Sequence, residues 1–451
     1  MSLFGTDGIR GVANHELTPD LALSVGVATG LHFRRQGARV AAIGRDTRRS
    51  GPMLSAAVLS GLCSAGMDVV DLGVAPTPAV SWFVRACNAD FGVMLSASHN
   101  PPADNGIKLL SKEGTKLDPD EEAEIERAIG TKSPVAPEFI GRTSAQPEPL
   151  EGYVEWLASL LPGGLEGIRV ALDAANGAAY AVAPMLLERL GAEVTAIGVE
   201  PDGDHINDGV GATCPEAIQR LTVDAGAAIG ISLDGDADRC VFSDETGVLI
   251  NGDRTMAILA HALKLEPKIV VGTVMSNLAF EEALEKDGYS LERTAVGDRN
   301  VAERMTALGA KIGGEQSGHI IFSDHSPTGD GLLTAVMMLR VLKESGLPAS
   351  QLPPVYENRP QVLINARVEK KDGWRQSDRI RKAIAHGDEE VRGTGRVLVR
   401  PSGTQPVIRI MVEATDRALR DKVADDILGA VLEELGGEVA GRVELTNALG
   451  D

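Results

Sequence analysis

Three stretches of the chain follow one plan, and that repeat constrains the fold more than any single motif does. The first runs from an apolar segment at 40–43 through a small-residue helical pattern at 55–65 to apolar segments at 69–72 and 92–95. The second starts at 168–172, passes a helical pattern at 183–190 and an apolar run at 194–197, and ends at 228–233. The third opens at 269–271, continues through a helical pattern at 278–285 and reaches 311–314. Short apolar runs alternating with helical patterns build βαβ units, so the expected class is α/β with mixed, mainly parallel sheets. Ligand-binding loops of such sheets lie beyond the carboxyl ends of the strands. That rule puts "SASHNP", "DGDADR" and "GEQSGH" at corresponding positions of the three repeats.

The stretch 131–149, a junction near Asn251 and the stretch 347–360 separate the units. After Pro360, strand-like 362–364 and 397–399 alternate with helical patterns, which reads as a smaller C-terminal α+β domain. The expected domains are therefore 1–150, 151–250, 251–360 and 361–451. At 451 residues the chain exceeds what one hydrophobic core serves, which agrees with several domains. The formal charge of -20 argues against nucleic acid and anionic membranes as partners, so an anionic substrate needs local arginines. No apolar run is long enough to span a bilayer, and the opening "MSLFG" carries no basic segment followed by an apolar leader. Four cysteines lie far apart without a CxxC pair, signalling neither a zinc cluster nor a disulfide framework. A cytoplasmic location is expected.

The acidic motif is "LDGDADRC". On an extended strand, rising about 3.3 Å per residue, Asp234, Asp236 and Asp238 spread too far for one ion, so Gly235 is expected to let the chain curl. An EF-hand is the nearest rival, since Glu245 sits at its twelfth position, but Arg239 stands where that loop needs glycine. Three hard oxygen ligands with coordination positions left open suit Mg²⁺ beside a phosphate oxygen. In "RPSGTQPVIRI", Ser402, Gly403 and Thr404 offer hydroxyls and backbone N–H groups to a phosphate, and Arg400 and Arg409 supply charge. An ordinary Ser-Gly turn is the plain alternative. "GGEQSGH" presents Glu315, Ser317 and His319 for hydroxyl or amine recognition and proton transfer. Arg10 of "FGTDGIRG" is either a phosphate ligand or a surface ion-pair partner, and Arg45, Arg48 and Arg49 of "GRDTRRSG" read equally well as a solvated turn.

Ser98 sits directly against His99. Adjacent side chains in an extended chain face opposite sides, so His99 is not expected to serve as base for its neighbour. The flanking glycines of a hydrolase elbow are absent as well. A serine that accepts and returns a phosphoryl group fits better, with a metal loop and arginines as its partners.

Together "FGTDGIRG", "SASHNP" with "NGIK", "LDGDADR", "GEQSGH" and "RPSGTQPVIR" resemble the α-D-phosphohexomutase family, in order and over essentially the whole chain. The resemblance implies three related α/β domains followed by a smaller phosphate-binding domain. It implies that Ser98 carries the phosphate, and that Asp234, Asp236 and Asp238 hold one Mg²⁺ per chain with the phosphoserine completing the site. Lys108 and His319 become candidates for general acid and base. Arg10 and Arg239 would contact the transferring phosphate, and Glu315 and Ser317 the sugar hydroxyls. Arg400, Ser402, Gly403, Thr404 and Arg409 would hold the phosphate that is not transferred. "LFGTDGIRG" and Gln316 point to the branch that interconverts glucosamine 6-phosphate and glucosamine 1-phosphate through a hexosamine 1,6-bisphosphate, with a hexose 1,6-bisphosphate as activator. The implied partner is thus a phosphorylated amino sugar, and a homodimer is compatible with the family. The phosphomannomutase/phosphoglucomutase branch is the alternative, followed by a serine-nucleophile, metal-dependent sugar phosphatase. Gln405 and Pro401 depart from the family's usual acidic residue and lysine.

Overall fold

The computed structural model describes residues 3–5, 7–131, 135–145, 149–371, 373–402 and 406–446. They form two compact units, one of residues up to 274 together with 292–353, the other of 275–291 together with the chain from 354 onward.

The larger unit holds three sheets. The first contains β1 (Ile9–Val12), β2 (Val40–Arg45), β3 (Asp68–Val74), β4 (Phe91–Leu95), β5 (Asp104–Leu110) and β6 (Thr143–Ala145), in the order β1-β5-β4-β2-β3-β6. The second contains β7 (Arg169–Asp173), β8 (Glu193–Ile197), β9 (Ile229–Leu233), β10 (Cys240–Asp244) and β11 (Leu249–Ile250), in the order β11-β10-β9-β7-β8. The third contains β12 (Ile269–Thr273), β13 (Ser290–Thr294), β14 (Ile312–Gly314) and β15 (Ile320–Phe322), in the order β13-β12-β14-β15.

One device recurs in all three. A buried strand pairs parallel with the strand two before it, β4 with β2, β9 with β7 and β14 with β12, and then turns back into an antiparallel partner, β5, β10 or β15. The "SASHNP", "DGDADR" and "GEQSGH" segments are the loops of these three hairpins. β4 and β9 are buried along their whole length, as strands covered on both faces are, and so read as apolar runs, broken in β9 only by Ser232. Phe91 of β4 stacks on Phe33 of the helix Pro19–Arg35, anchoring the first sheet to its helical layer.

The sequence expectations are met in class and differ in detail. The segment 131–149, expected as a linker, contributes β6, which extends the first sheet parallel to β3. Asn251, expected at a junction, is buried and caps the helix Gly252–Leu263 by accepting from Arg254 N at 3.1 Å.

The smaller unit carries an antiparallel sheet, β17 (Arg396–Pro401), β18 (Val407–Glu413), β16 (Gln361–Arg367) and β19 (Glu438–Glu444), in the order β17-β18-β16-β19. Its own core joins Val362, Ile364, Ile408 and Ile410 to Val423, Ile427 and Val431 of the helix Arg417–Leu435. The segment 275–291, from the middle of the third repeat, belongs to this unit. Leu278 N donates to Glu413 at 2.9 Å, and Arg396 donates to Ser276 O at 2.9 Å.

Candidate active site

Ser98 occupies the loop after β4 with φ at 51°, a left-handed conformation that non-glycine residues adopt only when their surroundings enforce it. Its hydroxyl donates to Asp234 Oδ2 at 2.5 Å, joining the first hairpin loop to the second. The two loops approach so closely that a Cβ on Gly235 would lie 2.5 Å from the Ser98 carbonyl oxygen. Gly235 is therefore required for space. The expected curl falls instead at Ala237, where φ is 58°. Because Ser98 is not extended, His99 does not point fully away from it, and His99 Nδ1 reaches 3.4 Å from the hydroxyl oxygen. The shorter bond to Asp234 is the one that orients the serine.

One oxygen from each of Asp234, Asp236 and Asp238 lies within 4.8 Å of the others, and all three residues are buried. Thr77 Oγ1 donates to Asp236 Oδ2 at 2.7 Å, and Lys108 Nζ donates to the same oxygen at 2.8 Å. The other oxygen, Oδ1, is buried without a hydrogen-bond partner. An orphaned buried carboxylate oxygen beside two further carboxylates fits a hard divalent cation of the magnesium type. Burial and the charges of Asp238 and Asp236 push the Asp234 carboxyl well above the usual range. Burial opposes charge on Asp238 too, but Lys108, His319 and Arg239 hold its carboxyl below the ordinary value.

A chain of charged groups leads away from the acidic loop. Lys108 also lies 3.2 Å from Asp7, which pairs in turn with Arg10 and Lys116. Lys116 continues to Asp298 at 2.6 Å. Burial alone would discharge Lys108, yet Asp236, Asp7 and Asp238 outweigh it and keep the ammonium protonated. Arg10 Nη1 donates to Asn100, two residues after Ser98, at 3.1 Å. The Arg239 backbone N–H donates to Asp234 at 3.2 Å, and its Nε stands 4.0 Å from Asp238.

His319 Nδ1 is 3.7 Å from Asp238, and Nε2 is 3.8 Å from Asp298. Burial disfavours its charged form, but both carboxylates raise its affinity for a proton. Gly329 N donates to Nε2 at 3.1 Å, which in the neutral ring leaves the proton on Nδ1, facing Asp238. In the same loop Glu315 Oε1 accepts from Gly297 N at 2.9 Å, while the side-chain polar atoms of Gln316 and Ser317 are buried without partners. Lys116, Asp298 and His319 border a cavity of about 490 Å³, whose lining also includes Glu113, Glu121 and Glu303.

The structure thus brings together Ser98, Lys108, Arg10, Asp234, Asp236, Asp238, Arg239 and His319, with Glu315 and Ser317 on the adjoining loop. In the smaller unit, Arg400 of β17 and Arg409 of β18 stand directly opposite each other in register. Like charges in that position repel, and burial together with Arg409 lowers the proton affinity of Arg400. Among the described residues neither guanidinium is in an ion pair, which suits an anion. Ser402 closes the hairpin through its N–H to Val407 O at 2.8 Å. Gly403 and Thr404 lie outside the described residues.

Sequence reasoning did not single out Asp7, Thr77, Lys116 or Asp298. Asp7 stands inside the quoted "FGTDGIRG", three residues before Arg10, and that spacing was its only visible signal. Arg48, weighed as part of a solvated turn, is completely buried.

Comparison with known proteins gives a consistent answer. Domain models I, II, III and the C-terminal domain of the phosphoglucomutase/phosphomannomutase family match residues 1–135, 151–247, 251–358 and 363–430. A phosphoglucosamine mutase of Symbiobacterium thermophilum is 48% identical over 444 residues, 96% of this chain and 99% of that protein. One from Desulforudis audaxviator is 44% identical over 441 residues, 96% of this chain and 98% of that protein. A family protein of Burkholderia thailandensis superposes with a TM-score of 0.84 at 27% identity, over 98% of this chain and 99% of that one. The Aspergillus fumigatus N-acetylphosphoglucosamine mutase, solved with GlcNAc-6P and magnesium, shares the fold with a TM-score of 0.70 at 19% identity, over 95% of each chain. The chain belongs to the phosphoglucomutase/phosphomannomutase family and is a phosphohexomutase.

Proposed function

We propose that this enzyme is a phosphoglucosamine mutase, interconverting glucosamine 6-phosphate and glucosamine 1-phosphate through a phosphoserine at Ser98. The observation that carries the reading is the Ser98 hydroxyl, fixed 2.5 Å from the first of three clustered carboxylates. The near-full-length likeness to proteins named for this reaction supports the choice of sugar.

In the reaction, phospho-Ser98 gives its phosphoryl group to the free hydroxyl of the sugar phosphate. The P–Oγ bond breaks, a P–O bond to the sugar forms, and the hydroxyl proton passes to a base. The resulting 1,6-bisphosphate turns over, and its other phosphate returns to Ser98. A hexose 1,6-bisphosphate supplied from outside would load the serine in the same way. Asp234, Asp236 and Asp238 would hold Mg²⁺, which supplies charge neutralisation for the phosphoryl oxygens at Ser98. Arg10 and Arg239, beside the serine loop, neutralise further phosphate charge. Lys108, held as an ammonium by its carboxylate neighbours, suits phosphate contact and charge neutralisation, and His319 is the candidate for proton transfer, once its Nε2 exchanges the Gly329 N–H for the sugar hydroxyl. Glu315 and Ser317 hold the sugar hydroxyls. Arg400, Arg409 and Ser402, with Gly403 and Thr404, bind the phosphate at rest.

A panel of hexose and hexosamine phosphates, assayed with Mg²⁺ and a trace of glucose 1,6-bisphosphate, tests this. Glucosamine 6-phosphate is expected to be the best substrate, and Ser98→Ala is expected to be inactive. Full mutase activity in Ser98→Ala would sink the mechanism. A decisive preference for mannose or glucose phosphate would sink the sugar assignment, and release of inorganic phosphate alone would favour a phosphatase.

A further inference from the structure

Arg48 lies in the loop after β2 and is completely buried, yet only one of its five N–H groups goes to a carboxylate. Nε donates to Asp46 Oδ2 at 2.9 Å. Nη2 donates to the carbonyls of Ser98 at 2.9 Å and Asn100 at 2.8 Å. Nη1 donates to the carbonyls of Asp104, at 2.9 Å, and Pro101. The loop from Ser98 to Asp104 is therefore wrapped around a guanidinium whose every donor is used. Asp46 extends the frame from below. Its Oδ2 accepts from Ser96 Oγ at 2.6 Å, and Ser96 Oγ accepts from the Ser98 backbone N–H at 2.8 Å. Ser98 is thus held at its N–H through Ser96 and at its carbonyl through Arg48, with Asn207 Nδ2 donating to the same carbonyl at 2.9 Å.

We propose that Arg48 is a positioning residue for phosphoryl transfer: its guanidinium is the template that forces Ser98 into the left-handed conformation and aims the hydroxyl at Asp234. A left-handed serine is costly and persists only where its neighbours over-determine it. A buried guanidinium must satisfy all five of its donors wherever it sits, so what singles this one out is where they go. This one commits four donors to the backbone of the loop that carries the nucleophile. Lysine cannot replace it, because three donors on a point charge do not span a planar arc of four carbonyls.

The proposal rests on Ser98 as phosphate carrier, and its test reads that step directly. Arg48→Lys, Arg48→Ala and the wild type are incubated with Mg²⁺ and glucose 1,6-bisphosphate, the rate of Ser98 phosphorylation is followed by intact mass, and steady-state mutase kinetics and unfolding midpoints are measured alongside. In Arg48→Lys, kcat and the phosphorylation rate are expected to fall together by about a hundredfold, with KM within about threefold of wild type. Added guanidinium is expected to restore part of the phosphorylation rate to Arg48→Ala and none to Arg48→Lys. A normal phosphorylation rate in Arg48→Lys overturns the proposal, as does a loss that merely tracks the unfolded fraction. If neither variant can be recovered folded, Arg48 serves stability and the proposal falls. A wild type that takes phosphate at Ser98 but does not convert glucosamine phosphate refutes the sugar assignment and leaves the role of Arg48 standing.

Discussion

Thr77 and Lys108 converge on one oxygen of Asp236 and leave the other oxygen without a partner. Outer-shell hydrogen bonds of this kind fix the direction in which a carboxylate offers its lone pairs, and losing one typically costs 10–100-fold in metal affinity. Thr77→Val keeps the volume and removes the donor. It is expected to raise the half-saturating Mg²⁺ concentration about tenfold and to change kcat at saturating metal little. A Mg²⁺ titration of activity that overlays the wild type would remove Thr77 from the site. This residue also marks where sequence reasoning stops. The aspartates announce themselves by alternate spacing after an apolar strand, and Ser98 by its place in the repeat. Thr77 lies 159 positions from the carboxylate it orients, and nothing local to "PTPAV" reports that distant partner. Lys116 and Asp298 were hidden for the same reason. Arg48 was hidden differently, because a cluster of arginines reads as a solvated face until burial is known.

Elements were more legible than residues, because periodicity reports a strand or helix from its own sequence. The helical pattern at 278–285 corresponds to the helix Leu278–Lys286, and that at 183–190 to Val182–Arg189. β6 escaped because three exposed residues at a sheet edge carry no apolar signature. One element end has a measurable consequence. Asp330 caps the helix Gly331–Ser345 by accepting from Leu333 N at 2.9 Å, and Tyr153 of the helix Pro149–Ser159 donates to both its carboxylate oxygens at 2.8 Å. Burial pushes this carboxyl up to about 6, against the hydrogen bonds from Leu333 and Tyr153 that pull it down. The folded state therefore binds this proton more tightly than the unfolded chain does. Stability from this group is greatest below the unfolded value and is lost as pH rises toward 6. Asp330→Asn keeps the cap and removes the titration. Its stability relative to wild type is expected to grow by on the order of 2–3 kcal/mol between pH 4 and 6 and to stay level above. Urea unfolding across that range checks it, and parallel curves for the two proteins would contradict the burial argument.

At the scale of the whole molecule, the smaller unit draws together chain regions that the linear order separates, 275–291 and the segment from 354 onward. A sequence is read in contiguous segments, so the departure of 275–291 from its own repeat leaves no local trace. Glu413 is one of several groups that tie the two regions, since it is completely buried, accepts from Leu278 N at 2.9 Å and pairs at 2.6 Å with Arg396, which itself donates to Ser276 O. Glu413→Gln preserves an acceptor for Leu278 and removes the charge, leaving the Arg396 guanidinium with its main counter-charge gone. Breaking a buried pair from one side typically costs 3–5 kcal/mol, and because Arg396 keeps some contact with solvent the expected loss here is about 2–4 kcal/mol. Trp374 packs against the core of this unit, whereas Trp82 and Trp156, the other two of three tryptophans, belong to the larger one. Replacing those two with phenylalanine makes fluorescence a reporter of the smaller unit alone. In that background Glu413→Gln is expected to lower the denaturant midpoint at Trp374 while Mg²⁺ binding in the larger unit is unchanged. Adding Arg396→Met is expected to recover part of the loss, because removing the second charge relieves the uncompensated one that the first substitution created. A Trp374 midpoint unmoved by Glu413→Gln would mean that the buried Glu413 charge contributes nothing to the stability of this unit.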